Sequence, residues 1–304
     1  MSARSTSSPQ RPSEPLVAVL EKRGRHLAAA PFFTRGRSVG VNRDSRARVG
    51  DLVLVGAKGK LVRRIGRPDV AGDVIEALML DRGLRRRFPI EADRAAREAE
   101  PARVERRDLT ELATFTIDPT TARDFDDAIS AERLGGGAIR VWIHIADVSA
   151  FVQPGSPVDR EAHRRATSVY VPGAVEPMLP EALSNDKCSL RPHEERPAVT
   201  AELDFEGAAV KRTAFYRSVI RSDRRYSYPE VDALFAAGRL DPELAAAREA
   251  AAALPARRAA RGALEVTSSA PRSARWASSA AATSRAAASG ASTCPDANSA
   301  STSG

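Results

Sequence analysis

Between Arg140 and Val152 the chain reads RVWIHIADVSAFV. Val141, Ile143 and Ile145 alternate with Arg140, Trp142 and His144, a period of two that gives a strand one apolar and one mixed face. A strand of this kind is stable only in a sheet whose apolar face is covered. The run Gly135-Gly136-Gly137 in front of it supplies a turn back to a preceding strand, DDAIS. TFTID, which ends at Asp118, reads as another strand. The stretch TIDPTTARDFDDAI (116–129) therefore puts the four aspartates, Asp118, Asp124, Asp126 and Asp127, at a strand end and in the loop and strand start that follow.

Four carboxylates confined to ten residues repel one another. They must take up protons, find arginines or bind a cation. All-oxygen ligands suit Mg²⁺, which commonly completes its octahedron with water and substrate phosphate. Metal ions at such a cluster can hold the attacking and leaving oxygens of a phosphodiester in line. An acidic surface loop or a structural cation site remains open from spacing alone. The EF-hand pattern is not met, because no glycine or glutamate falls at its required positions.

The rest of the chain is organised around this segment. The 304 residues carry a formal charge of +8, almost all of the basicity coming from arginine. Guanidinium groups fit phosphate oxygens, so a phosphate-bearing partner is expected. The N-terminal residues 1–14 are polar and read as a disordered tail. β-like runs at 16–20, 25–33, 37–42, 51–57 and 60–66 are separated by turn residues. They predict a small OB- or cold-shock-like β-barrel over 15–70. A helical linker is expected over 71–107, with Asp73 as N-cap and Gly83 as stop for its first helix. Ser227 and Glu230 form a capping-box pattern ahead of a helix that stops at Gly238. Asp241 and Pro242 open another helix, which ends before Pro255. From Ser268 to Gly304 there is no Leu, Ile, Val, Met or Phe, so a disordered Ala/Ser-rich tail is expected. The two cysteines, Cys188 and Cys294, are far apart and imply no disulfide, and the four histidines have no zinc-ligand spacing. No apolar run is long enough to span a membrane. A cytoplasmic monomer is the expectation.

TIDPTTARDFDDAIS, VWIHIADVSAFV, ATSVYVPGAVEPMLPEALSNDKCSL and RYSYPEV occur in that order and together resemble the ribonuclease II/ribonuclease R family. The resemblance implies an RNB-type α/β catalytic domain over 108–267, behind a cold-shock-like domain, in a mixed α+β chain. It implies a Mg²⁺-dependent hydrolytic exoribonuclease that shortens single-stranded RNA from the 3′ end and releases nucleoside 5′-monophosphates. It further implies that Asp118, Asp124, Asp126 and Asp127 organise the metal, with Asp126 most critical. Tyr170 matches a tyrosine that packs against nucleotides, and Tyr228, or its neighbour Tyr226, one near the ribose. Family members continue into a second half of the catalytic domain, with a further arginine and glutamate, and an S1-type domain. These are not recognisable after RGALEV, so the alternative expectation is an inert, apparently truncated RNA-binding fragment. Arg123 is expected either to pair with the aspartates or to touch phosphate. His144 is expected to be a hydrogen-bonded interior residue, Asp147 to end its strand with a local hydrogen bond, and Cys188 to be buried.

Overall fold

The computed structural model describes residues 15–42, 46–84 and 87–262. Both predicted tails, 1–14 and 268–304, lie outside them. The chain divides into two compact units, residues 1–89 with 161–178 and residues 90–160 with 179–304.

In the first unit, β1 (Leu16–Arg23), β2 (His26–Pro31), β3 (Val39–Val41), β4 (Leu52–Val55) and β5 (Leu61–Gly66) form a five-stranded antiparallel sheet. Its order is β3-β2-β1-β4-β5, so the strand ladder is open and no β3–β5 pairing closes a barrel. Closure is replaced by a touch. The tight turn Ala57–Gly59 between β4 and β5 packs against β3, and a Cβ on Gly59 would lie 2.0 Å from the Gly40 carbonyl oxygen. Only glycine fits there. Ala18, Leu20, Ala29, Val53, Val55 and Leu61 form the core on one face.

The helix α1 (Ala71–Asp81) covers the other face through Ala77, against Val17, Leu52 and Leu54. It starts earlier than predicted, with Val70 at the N-cap. Asp73 lies inside the first turn, and its carboxylate accepts from the Arg67 backbone N–H at 2.7 Å. That bond ties the helix to the strand before it instead of capping the helix. The stop is as expected: Gly83 follows the C-cap with φ +66°.

The second unit opens with α2 (Ile90–Glu98) and is built on a seven-stranded mixed sheet. Its strands are β6 (Arg107–Leu109), β7 (Phe115–Asp118), β8 (Asp127–Arg133), β9 (Ala138–Ala146), β12 (Glu195–Glu206), β13 (Ala209–Arg221) and β14 (Arg224–Ser227). The helix α3 (Pro157–Arg165) and the hairpin of β10 (Val169–Val171) and β11 (Ala174–Glu176) fall between β9 and β12 in sequence, and the hairpin belongs to the first unit. The sheet order is β14-β7-β8-β9-β12-β13-β6.

The alternation seen in the sequence sets which side chains face where. Ile129, Val141, Ile143, Leu203 and Phe205 pack with Val231 of α4 (Tyr228–Ala237), Leu244 of α5 (Pro242–Ala252) and Leu254 of α6 (Leu254–Ala260). The Gly-rich turn is as predicted, with Gly136 and Gly137 at φ +72° and +80° and Leu134 N–H bonded to the Ala138 carbonyl.

The opposite face is buried and polar. The Thr114 hydroxyl donates to the Leu112 carbonyl at 2.7 Å, and Ser130, His144, Thr200 and Ser218 extend the chain across β8, β9, β12 and β13. At the other end the Ser218 hydroxyl reaches the Ala198 carbonyl at 3.3 Å, so the chain is anchored on backbone carbonyls at both ends, with the imidazole bridging Ser130 through Nε2 and Thr200 through Nδ1. His144 is fully buried and its pKa is pushed down to about 3 by desolvation, so it is neutral. It is the interior histidine the sequence suggested. On the same face Glu202 lies beneath Arg212, Tyr216 and Trp142. Burial opposes its charge, but hydrogen bonds from Tyr216, Arg212 and Trp142 prevail and hold its carboxyl below the usual range.

The capping box at α4 is formed as read: Ser227 Oγ accepts from Glu230 N–H, and Glu230 accepts from the Ser227 N–H at 2.6 Å. Ser227→Ala is expected to lower stability by ~1 kcal/mol, measured as a lower urea midpoint at unchanged slope. Asp241 stands at the N-cap of α5 without a side-chain cap bond. It accepts from the Tyr226 hydroxyl at 2.5 Å instead.

Candidate active site

The aspartates lie where two strands and one irregular loop converge in the second unit. Asp118 ends β7. The parallel strand β14 aligns Ser227 with Asp118, so Tyr228, the first residue of α4, comes just beyond it. Asp127 begins β8, opposite Ile145 of β9. The loop 119–126 has no helix or strand of its own, and its backbone groups must find partners elsewhere. Ala122 N–H bonds Pro119 O, Ala146 N–H bonds Asp126 O, and Leu190 N–H bonds Phe125 O. Ser189 Oγ donates to the Arg123 carbonyl at 2.9 Å and accepts from Phe125 N–H at 3.1 Å. Arg225 of β14 donates to the Pro119 carbonyl at 2.6 Å, and its guanidinium lies 5.2 Å from the Phe125 ring centre.

Electrostatics at this point run against ionisation. Asp118 is 8% exposed, and its pKa is pushed up to about 6, first by burial and then by the charges of Asp127 and Asp124. The Thr116 hydroxyl and the Arg225 charge oppose the rise only in part. Thr116 Oγ1 and Asp118 Oδ2 are both buried without a partner of proper hydrogen-bond geometry. Asp126 is also pushed up to about 6, by desolvation and by the negative charges of Asp124 and Asp127. Its side chain is open to solvent on one side. Protein surrounds it elsewhere, and the like charges act in the same direction as burial, so the upward direction holds. Burial raises the Tyr228 hydroxyl as well, assisted by the charges of Asp118 and Asp127. Tyr228 is therefore electrostatically part of the cluster. Tyr226 is not: its ring packs edge-on against Phe115 at 5.7 Å in the core.

Among the described residues, no three His, Cys, Asp or Glu side chains stand at metal-ligand spacing. The donor chemistry nonetheless suits a hard divalent cation. The groups are all carboxylate oxygens, two of them resist carrying charge, and Asp118 Oδ2 is buried without a hydrogen bond of proper geometry.

Tyr170 lies on the β10–β11 hairpin of the first unit and is 66% exposed. Arg123 is exposed, and the arginine whose charge reaches Asp118 is Arg225. Asp147 makes the expected local bond, to Ser149 at 2.5 Å, and also a buried ion pair with Arg106 at 2.7 Å that the sequence did not reveal. Cys188 is buried, with its thiol pushed up to about 12 by desolvation and by Asp126 and Asp147. Among the described residues no helix is long and apolar enough to cross a membrane.

Comparison with known proteins identifies the family. The family model described as "RNB domain" matches residues 106–284, more than half of the chain. The chain belongs to the RNB-domain family. Ribonuclease R of Vibrio parahaemolyticus is 34% identical over 249 residues, which cover 72% of this chain and 30% of the relative. Ribonuclease R of Escherichia coli is 46% identical over 133 residues, 43% of this chain and 16% of the relative. The chain thus spans less than a third of the length of these two curated relatives. Among solved structures, Mycoplasma genitalium RNase R in complex with double-stranded RNA superposes with a TM-score of 0.75 at 26% identity, covering 87% of this chain and 51% of that one. The same enzyme with ribose-methylated single-stranded RNA gives 0.69 at 25% identity, covering 84% and 44%. Yeast Ssd1, described as a pseudonuclease, shares the fold at 18% identity and a TM-score of 0.61, covering 81% and 34%.

Proposed function

We propose that this RNB-domain chain carries the metal-binding half of a hydrolytic exoribonuclease site that shortens single-stranded RNA from its 3′ end and releases nucleoside 5′-monophosphates. The observation that carries this reading is the convergence of four aspartates on one strand junction, with Asp118 and Asp126 resisting ionisation and Tyr228 beside them. Asp118, Asp124, Asp126 and Asp127 would hold the cation, for which Mg²⁺ is the proposed identity. When bound, it supplies Lewis-acid activation of the phosphodiester and of water. The chain's own groups do the rest. Burial of Asp118 keeps bulk water away from one side of the site. Arg225 offsets part of the carboxylate charge and fixes the start of the loop. Tyr228 offers a ring and a protonated hydroxyl at the edge of the cluster, suited to a terminal ribose. Tyr170 is proposed to stack on a base, an interaction tolerant of sequence. The chain is proposed to act in the cytoplasm as a monomer.

The test is cleavage of 5′-labelled single-stranded RNA with Mg²⁺ and with EDTA. A metal-dependent ladder shortening from the 3′ end supports the reading. RNA bound equally in EDTA and never cut with Mg²⁺ favours a second reading, binding without cleavage. One observation favours that second reading. The first unit has an open cavity of about 710 Å³ lined by Arg46, Arg48, Arg64 and Arg67 against Asp51 and Asp69, a net positive surface suited to a phosphate backbone. An OB- or cold-shock-like role for the five-stranded sheet belongs with this proposal.

The raised carboxyls also set a pH dependence. Their pKa values of about 6 in the fold exceed the ordinary 3.8, so the folded protein holds these protons more tightly than the unfolded chain. Without metal, their contribution to stability improves as pH falls from above 6 towards 4. A cation must displace the same protons, so metal affinity is expected to rise with pH through about 6. Calorimetry of Mn²⁺ binding in two buffers of different ionisation enthalpy should show proton release near pH 6 that has largely vanished by pH 8.

A further inference from the structure

We infer that Ser189 is a positioning residue for the aspartate loop, an inference that rests on the metal-site reading above. Its hydroxyl is fully buried and makes two bonds to one short stretch of backbone. It donates to the carbonyl of Arg123 and accepts from the N–H of Phe125, the residues on either side of Asp124. Phe125 in turn precedes Asp126 and Asp127. One hydroxyl therefore fixes the peptide direction from which three of the four carboxylates project.

The loop has no ladder of its own to do this, and Ser189 is itself held from behind. Its N–H bonds the Asp186 carbonyl at 3.1 Å, at the end of the π-type turn Leu183–Lys187. Its carbonyl accepts from Arg196 Nε at 3.1 Å. The next residue repeats the attachment, with Leu190 N–H on the Phe125 carbonyl at 2.9 Å. The segment 183–190 thus acts as a brace against one side of the loop, while Arg225 holds its beginning at Pro119. Carboxylates that repel one another spread apart unless the backbone beneath them is fixed, so the brace limits what a cation must draw together to the side chains alone. Groups that orient ligands in this way change metal affinity by about 10- to 100-fold when removed.

The test is Mn²⁺ binding alone, followed by electron paramagnetic resonance on the full chain, well below the melting temperature. Ser189→Ala and Ser189→Cys, which keeps the size of the side chain but bonds weakly, are compared with Asp126→Asn and with Ile139→Val. The last removes a methyl group from the core at the far end of β9. The expected result is Mn²⁺ affinity weaker by about tenfold in the folded Ser189 variants and unchanged in Ile139→Val, whatever each does to the melting temperature. Parental affinity in the Ser189 variants, with Asp126→Asn impaired, overturns the positioning role and leaves the metal site standing. Parental affinity in Asp126→Asn as well overturns the metal site and this inference with it. If neither Ser189 variant folds, the residue is structural and the inference falls.

Discussion

Replacing Asp126 by asparagine is expected to lower RNA cleavage by at least about 100-fold while leaving the fold as stable as before or more so. The two effects have one cause. Asp126 carries its charge against desolvation and against the neighbouring charges of Asp124 and Asp127. Asparagine keeps the size, removes the charge and relieves that repulsion. On the proposed function, a cation held there would lose a negatively charged ligand, and with it part of the charge stabilisation of the reacting phosphate, the kind of loss that costs about 10²–10³ in rate when a single preorganised group is removed. The check is a pair of measurements on the same preparation, single-turnover cleavage of labelled RNA and a urea melt without metal. Lost cleavage with a raised or unchanged midpoint is the predicted pairing. Lost cleavage with a lowered midpoint would show that Asp126 supports the fold and would remove it from the site.

The second large effect belongs to the fold. Arg106 and Asp147 form an ion pair whose side chains are 8% and 2% exposed. Arg106 also donates to the carbonyls of Ala198 and Ser218, and Asp147 accepts from Ser149. Burial opposes the charge of Asp147, but the bonds from Ser149 and Arg106 prevail and hold its carboxyl below the usual range. Arg106→Met leaves that carboxylate buried without its counter-charge, at a cost of about 3–5 kcal/mol. The double variant Arg106→Met/Asp147→Leu should recover much of the loss, since a buried pair replaced by apolar groups of similar size is often close to neutral. A thermal melt of the single and double variants decides it. Equal destabilisation in both would show that the carbonyl bonds of Arg106, not the charge pair, carry the effect. Because the Asp147 backbone directly follows β9, whose last residue Ala146 bonds the Asp126 carbonyl, the single variant should also weaken metal binding.

Much of this was legible in the chain because it depends on neighbours in sequence. The alternation of Val141, Ile143 and Ile145 with Trp142 and His144 gave the strand and its two faces, since side-chain direction in a strand is set by parity. The Gly135–Gly137 turn and the Ser227/Glu230 capping box followed from backbone dihedrals and from groups three residues apart. The strand-end, loop and strand-start placement of the four aspartates was readable for the same reason. Asp73 and Asp241 show where such reasoning stops. Both are good N-cap types near helix starts, yet each carboxylate found a stronger partner outside its helix, the Arg67 N–H and the Tyr226 hydroxyl.

The sequence by itself determined the strands, the turns, the carboxylate cluster and, through its ordered motifs, the resemblance to a nuclease family. Only the tertiary structure decided what surrounds that cluster. It chose Arg225 over Arg123 as the arginine whose charge reaches Asp118, and it sent Tyr226 into the core while leaving Tyr228 at the aspartates. It placed Ser189 beneath a loop more than sixty residues away in sequence and left the five-stranded ladder open where a barrel had been expected. The physical reason is range. Backbone preference and periodicity act over a few residues, whereas burial, ion pairing and the partners of irregular backbone depend on which distant segments the sheet brings side by side.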